Sequence, residues 1–338
     1  MGYKKKLEFA NYTLVFGDNL KLLDMFKDVV YPSFVNNNNT RYFKGTNYFF
    51  IDVTLTPIYD QSNKEIIDMI LSGRLVKNTK LRREQIYRKD KGIIHDEDEL
   101  ETAPTSLFAL TLKNHRLIYL KEVAGAPDIK TFQTTSQKFL SNQHRIFIDK
   151  QYEVRKQIEA KKVTKTQLVN EYPYPDLRIT TLTDSKSLRE FVDKFYLIEE
   201  LTIRLLPTNN EDIDNDGFWN HLNETRSRMG SINVTTRFNN KTDGLDQEEV
   251  YRQTDSATDM ANSEINMRGI DHSGGTLSGD NETFQLAVEI DDISSDMKTA
   301  TKQLYNAFIN QISTGSISLG NVSRSTLSKL NSIINLFI

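Results

Sequence analysis

Residues 106–123, SLFALTLKNHRLIYLKEV, set two apolar-rich runs on either side of Lys113, Asn114 and His115. Each run is short and rich in Leu, Ile, Phe and Tyr, and a polar joint between such runs suits a tight turn, so the segment predicts an antiparallel β-hairpin. A hairpin this apolar needs neighbours to cover it. Upstream, Leu7–Phe16 (LEFANYTLVF) and Tyr42–Ile58 (YFKGTNYFFIDVTLTPI) carry the aromatic and β-branched residues of further strands. Between them, Asp18–Val30 spaces its apolar residues three and four apart and predicts a helix capped near Asp18, followed by an exposed loop at Asn36–Asn39. Lys64–Leu75 predicts a short amphipathic helix.

Downstream of the hairpin, Gly125 and Pro127 interrupt the pattern before helical spacing resumes at Ile129–Leu140, and the charged stretch Lys150–Asn170 is also compatible with a helix. Pro173 and Pro175 stop it, which places a boundary between an amino-terminal domain, 1–172, and a carboxyl-terminal domain, 173–338. The second domain predicts strand 177–182, helix 187–196, strand 201–206, helix 218–229, strand 232–237, helix 245–261, a hairpin over 265–290 and a helix over 294–312. In that hairpin, Gly274, Gly275 and Gly279 suit turn chemistry. The last stretch, Leu327–Ile338 (LSKLNSIINLFI), is apolar at helical spacing and reads as a packing helix. The expected fold is α+β, two domains, each a mostly antiparallel sheet packed with helices.

A chain of 338 residues exceeds what one core usually supports. It contains no cysteine, which excludes disulfides, thiolate nucleophiles and cysteine-ligated metal centres. The start has three lysines without the apolar run of a signal peptide, and no stretch approaches the roughly 18 apolar residues of a membrane span. A cytoplasmic protein with no direct membrane insertion is the expectation.

The formal net charge of −3 hides an asymmetry: residues 1–150 carry 23 Lys and Arg against 18 Asp and Glu, and residues 151–338 carry 20 against 28. Within the first half, Arg74, Lys77, Lys80, Arg82, Arg83, Arg88, Lys89 and Lys91 fall in one short tract. Such a tract suits phosphate neutralisation and counterion release, the sequence-independent part of nucleic-acid binding. The plainer reading is a solvated, mobile loop that serves solubility. Immediately after it the chain turns acidic, at Asp96, Glu97, Asp98, Glu99 and Glu101. A second basic series, Arg145 to Lys165, puts Arg155 and Lys162 on one helical face, where they suit a phosphate backbone or an interdomain helix with a wet outer side. Little aromatic interleaving favours duplex phosphates over stacked single strands.

Catalytic signatures are sparse. Asp212, Asp214, Asp216 and Gly217 match the first half of a calcium loop, but Asn223 stands where the closing bidentate carboxylate belongs, so an acidic turn capping the next helix is expected. The five histidines show no ligand spacing, and dinucleotide, P-loop and nucleophile-elbow patterns are absent, so no cofactor is expected. Two carboxylate groupings, Asp149 with Glu153 and Glu289 with Asp291 and Asp292, keep a metal-dependent nuclease open as an alternative. A protein-interaction module with an acidic docking half, sensing a phage component, is the third reading.

Residues Pro104–Leu140 (PTSLFALTLKNHRLIYLKEVAGAPDIKTFQTTSQKFL), the segments Leu177–Leu182 (LRITTL) and Ile198–Arg204 (IEELTIR), and the earlier strand Asn47–Ile51 (NYFFI) follow one another in an order that resembles RexA-type phage-exclusion proteins. The resemblance spans roughly residues 40–240. It implies a dimeric, two-domain antiviral protein of the cytoplasm that binds double-stranded DNA with little sequence preference and signals to a membrane-protein effector. No individual binding residue carries over. The residues expected to bind DNA are therefore those picked by charge: the eight cations of the 74–91 tract with Arg155 and Lys162.

Overall fold

A computed structural model describes residues 5–60, 62, 64–158, 163–206, 217–231, 233–258 and 262–338. The chain runs β1 (Lys6–Phe16), β2 (Leu20–Lys21), a π-helical turn (Phe26–Val30), α1 (Tyr31–Val35), β3 (Arg41–Phe43), β4 (Thr46–Tyr59), β5 (Ile66–Arg88), β6 (Gly92–Thr102), β7 (Thr105–Thr111) and β8 (Arg116–Lys121). Then come α2 (Ile129–Ile158), α3 (Lys165–Glu171), β9 (Pro175–Thr181), α4 (Ser185–Val192), β10 (Phe195–Leu205), α5 (Gly217–Arg228), β11 (Val234–Asn239) and α6 (Gln247–Thr258). The chain closes with β12 (Ser263–Asp271), β13 (Thr276–Asp280), β14 (Ala287–Glu289), α7 (Met297–Ser313) and α8 (Arg324–Phe337). The protein is α+β, with two antiparallel sheets covered by helices.

The larger sheet has ten strands, with the path β14-β1-β8-β7-β5-β4-β3 and β2, β6 and β9 attached to its side. The expected 106–123 hairpin is its centre: β7 and β8 pair from Ser106 opposite Lys121 to Leu110 opposite Leu117. Both faces of this sheet are covered. Along β1, Ala10, Tyr12, Leu14 and Phe16 enter one core with α1, α2 and α8, whereas Leu7 and Phe9 enter a second core with α7. Alternation sends neighbouring side chains to opposite faces, so a strand buried on both sides reads as an unbroken apolar run. At the middle of the first core Phe50 stacks edge-on to Phe139 at 5.6 Å and lies 5.7 Å from Phe132, whose ring is 5.0 Å from Phe108.

Two expected helices are not formed. Lys64–Leu75 falls in β5, where Met69 and Leu71 feed one core and Ile70 the other. Its apolar spacing comes from burial on two faces. Asp18–Val30 is a turn, the short β2 and the π-helical turn, which curl the chain so that Phe26 meets Tyr31 and Phe337. The Leu327–Ile338 segment does pack: Leu330 and Ile333 of α8 are buried in the first core, and among the described residues no helix is long and apolar enough to cross a membrane.

The smaller sheet, β11-β10-β12-β13, carries a third core in which Phe191, Phe195, Phe284 and Trp219 meet. Its strands and helices follow the expected order. The strand pairing, however, cuts across the expected boundary at 172/173. Both β9 and β14 pair with β1, and α7 and α8 cover the larger sheet, so the smaller sheet is an excursion between β9 and β14. Its neck is a short ladder, with Leu286 N–H donating to Leu182 O at 2.7 Å and Asp184 N–H to Phe284 O at 2.9 Å.

Candidate nucleic-acid interface

Beyond Asn78, β5 leaves its neighbour β4 and continues with β6 alone, so Thr79–Arg88 and Gly92–Thr102 form a two-stranded ribbon. At about 3.3 Å per residue, its ten β5 residues reach about 30 Å. The basic tract is thus a strand, and the acidic run is the strand paired to it: Lys80 lies opposite Glu101, Arg82 opposite Glu99 and Arg83 opposite Asp98. Opposite charges facing each other across a ladder attract. Lys80 and Arg82 both contact Glu99, at 2.9 and 3.1 Å, and Arg83 bridges Asp96 and Asp98 at 2.8 and 3.1 Å. Its hydrogen bond with Glu99 raises the Lys80 pKa, and the same bond lowers that of Glu99.

The tract therefore separates into three parts. Arg74, at the root, is a strut: its guanidinium reaches Asp52 at 2.9 Å and Glu122 at 3.1 Å. Close by, Lys77 donates to the Gly125 carbonyl at 3.3 Å. Along the shaft, Lys80, Arg82 and Arg83 are matched by carboxylates of β6. At the tip, Arg88, Lys89 and Lys91 are exposed and make no ion pair among the described residues, with Asp90 the one acid between them. Among the described residues of the tract, the tip gathers the cations that have neither a carboxylate nor a carbonyl partner.

A second cationic surface stands at the ribbon's root, where sequence reading saw only strand. The β3–β4 hairpin turns through Lys44 and Gly45, both at positive φ (48° and 76°), the geometry that two-residue hairpin loops favour. The Thr46 and Thr79 hydroxyls, 2.9 Å apart, tie this hairpin to the start of the ribbon. Arg41 lies 5.0 Å and Lys44 5.3 Å from the Phe43 ring centroid, so two cations share one aromatic ring, while Tyr42 beside it is 72% exposed. The signal was in the sequence as Arg-Tyr-Phe-Lys-Gly, cations interleaved with aromatics ahead of a turn glycine.

In the second basic series, Arg155 and Lys165 are paired with carboxylates. Arg155 makes two bonds to Glu171, at 2.7 and 2.6 Å, which tie α2 to α3 and lower the Glu171 pKa. Lys165 holds Asp149 at 2.5 Å, and Lys162 lies outside the described residues, as does the Asp212–Asp216 segment. Of the two carboxylate groupings, Asp149 is thus tied to Lys165, and Asp292 pairs with Lys5 at 3.3 Å. No group of three or more His, Asp or Glu among the described residues is placed to hold a metal ion. His115 and His144 are core groups. Burial next to Arg116 pushes His115 down to about 3, and His144 bonds the Tyr172 carbonyl at 2.8 Å.

Between the sheets lies a cleft of about 540 Å³, lined by Lys130 and Thr134 of α2, Thr180 and Thr181 of β9, and Arg204 and Glu264 of the smaller sheet. On its wall Arg204 donates to Glu264 at 3.1 Å. Asn281, also on its wall, is bonded to Ser263 O and Ile265 N–H.

Fold and surface define an α+β protein built on a two-sided antiparallel sheet, with an excursion on one edge and a charged ribbon continuing from its inner strand β5. The chain belongs to the family described as Domain of unknown function (DUF4747), whose model matches residues 129–306, just over half of its length. No curated protein matches it. The matched segment runs from α2 into α7 and contains the whole lining of the cleft; the ribbon and the β3–β4 hairpin lie before it.

Proposed function

We propose that the protein is a non-catalytic binder of double-stranded DNA that touches phosphates with the tip of its ribbon and with the β3–β4 hairpin, largely without sequence preference. The observation that carries this reading is the contrast along one ribbon: matched charge on the shaft, unmatched Arg88, Lys89 and Lys91 at the end. A role in phage defence, with a membrane-protein effector downstream and a cytoplasmic location, is part of the same proposal and rests on the RexA-type resemblance alone.

The test is a mobility shift on duplex DNA at two salt concentrations for the wild type, for Arg88→Ala/Lys89→Ala/Lys91→Ala and for Arg82→Ala/Arg83→Ala. Each phosphate contact contributes about 0.9 to the slope of log affinity against log salt, so the tip variant should flatten that slope by roughly 2–3. The shaft variant should stay close to wild type, because its cations already face carboxylates. Salt-insensitive binding, or a tip variant that binds like wild type, rejects the reading.

A further inference from the structure

We infer that the ribbon is also a homodimerisation arm, and that its occupant is the ribbon of a second copy packed face to face and antiparallel. The register decides which side chains share a face. Cross-strand partners point the same way, and alternate residues of β5 do too, so Leu81, Arg83, Gln85 and Tyr87 line one face with their partners Leu100, Asp98, His95 and Ile93. Between Arg83 and Gln85 the partner strand advances by one extra residue. That bulge in β6 keeps both strands in phase on this face.

The face is apolar at both ends and open to solvent. Leu81 and Leu100 are 57% and 66% exposed, Tyr87 and Ile93 73% and 70%. Two strands alone are marginally stable in water, and a row of large apolar groups on such a ribbon marks a contact surface. The order of pairs along it, apolar, charged, polar, apolar, nearly repeats when read backwards. A two-fold axis crossing the ribbon between the Arg83 and Gln85 rows therefore sets Leu81 against the partner's Tyr87 and Leu100 against the partner's Ile93. The same operation sets Asp98 against the partner's His95, an acceptor facing an imidazole. This is the self-complementarity that a two-fold interface requires. Side-by-side pairing is disfavoured by the same charges: joining β5 to its own copy aligns Lys80, Arg82 and Arg83 with each other, and joining β6 aligns five carboxylates.

The full chain lacks cysteine, so introduced thiols report cleanly. In the absence of DNA, sedimentation equilibrium should give twice the 39.0 kDa chain mass for the wild type, and the monomer mass for Leu81→Glu/Tyr87→Glu. Both replaced side chains are exposed in the single chain, so the far-UV spectrum should not change. A mixture of L81C and Y87C proteins should form a disulfide-linked dimer on oxidation, whereas neither does so alone. A monomeric wild type, a dimer that survives the double substitution, or equal linking of L81C to itself overturns the inference. The Arg88→Ala/Lys89→Ala/Lys91→Ala variant should remain dimeric, which separates failure of this inference from failure of the DNA reading.

Discussion

Gln137 stands in for a β-strand along Leu177. Its side-chain carbonyl accepts from the Leu177 N–H at 2.8 Å, and its amide donates to the Pro175 carbonyl at 2.8 Å. One helical turn earlier, Gln133 repeats the pattern, donating to Leu177 O at 3.1 Å and accepting from Ile179 N–H at 3.3 Å. Residues four apart share a helix face and lie about 6 Å apart along it, close to the two-residue repeat of a strand, so α2 closes the outer edge of β9 with side chains. An open edge is otherwise a template for another chain.

Gln137→Ala should lower stability by about 1–3 kcal/mol, since it strips partners from one backbone donor and one acceptor while keeping a good helix former. The urea midpoint reads this out. Adding Gln133→Ala should lower it further and make light scattering depend on protein concentration as the β9 edge opens. An unchanged midpoint would mean that water replaces the amides and that the edge needs no closure.

Asp68 gives stability a pH dependence of unusual sign for a carboxylate. It is fully buried on β5, its Oδ1 accepts from Met69 and Lys113 N–H at 2.7 and 2.9 Å, and burial pushes its pKa up to about 7. The folded protein thus keeps a proton that the unfolded chain releases near pH 4, so this group's contribution falls as pH rises from about 4 to 7 and is flat above that. Asp68→Asn should abolish this component. Denaturant midpoints at pH 5 and pH 8 should converge in the variant relative to wild type; an unchanged difference would show that Asp68 is ionised in the fold throughout.

Arg74→Ala should destabilise by about 1.5–3 kcal/mol, because the guanidinium is largely buried and leaves Glu122 and Asp52 without their shared partner. The slope of DNA affinity against salt should stay at its wild-type value. A flattened slope would make Arg74 a phosphate contact and contradict its role as a strut.

The sequence made the central hairpin, the carboxyl-terminal order of elements and the α+β class legible, because each rests on local patterning. It misled where burial or partnership is set by distant residues. In β5, Met69, Ile70 and Leu71 face alternating cores and erase the period of two, so the run passed for a helix. The cations of the ribbon were legible as a cluster, but their neutralisation by β6 depends on register: Arg83 meets Asp98 only because the chain turns back near Gly92. Pro173 and Pro175 did mark the end of α3, yet nothing local shows that the next strand returns to β1.

The smaller sheet leaves and rejoins the larger one at nearly the same place. β9 ends with Thr181 opposite Ala10, β14 begins with Ala287 opposite Glu8, and both lie on one edge of β1. With its two tethers anchored only two residues apart, the excursion behaves as a closed loop whose melting need not disturb the anchors. Amides of β10 and β12 should then exchange with deuterium as a group of their own, ahead of those of β1, β7 and β8. That outcome would mark two cooperative units joined at one neck.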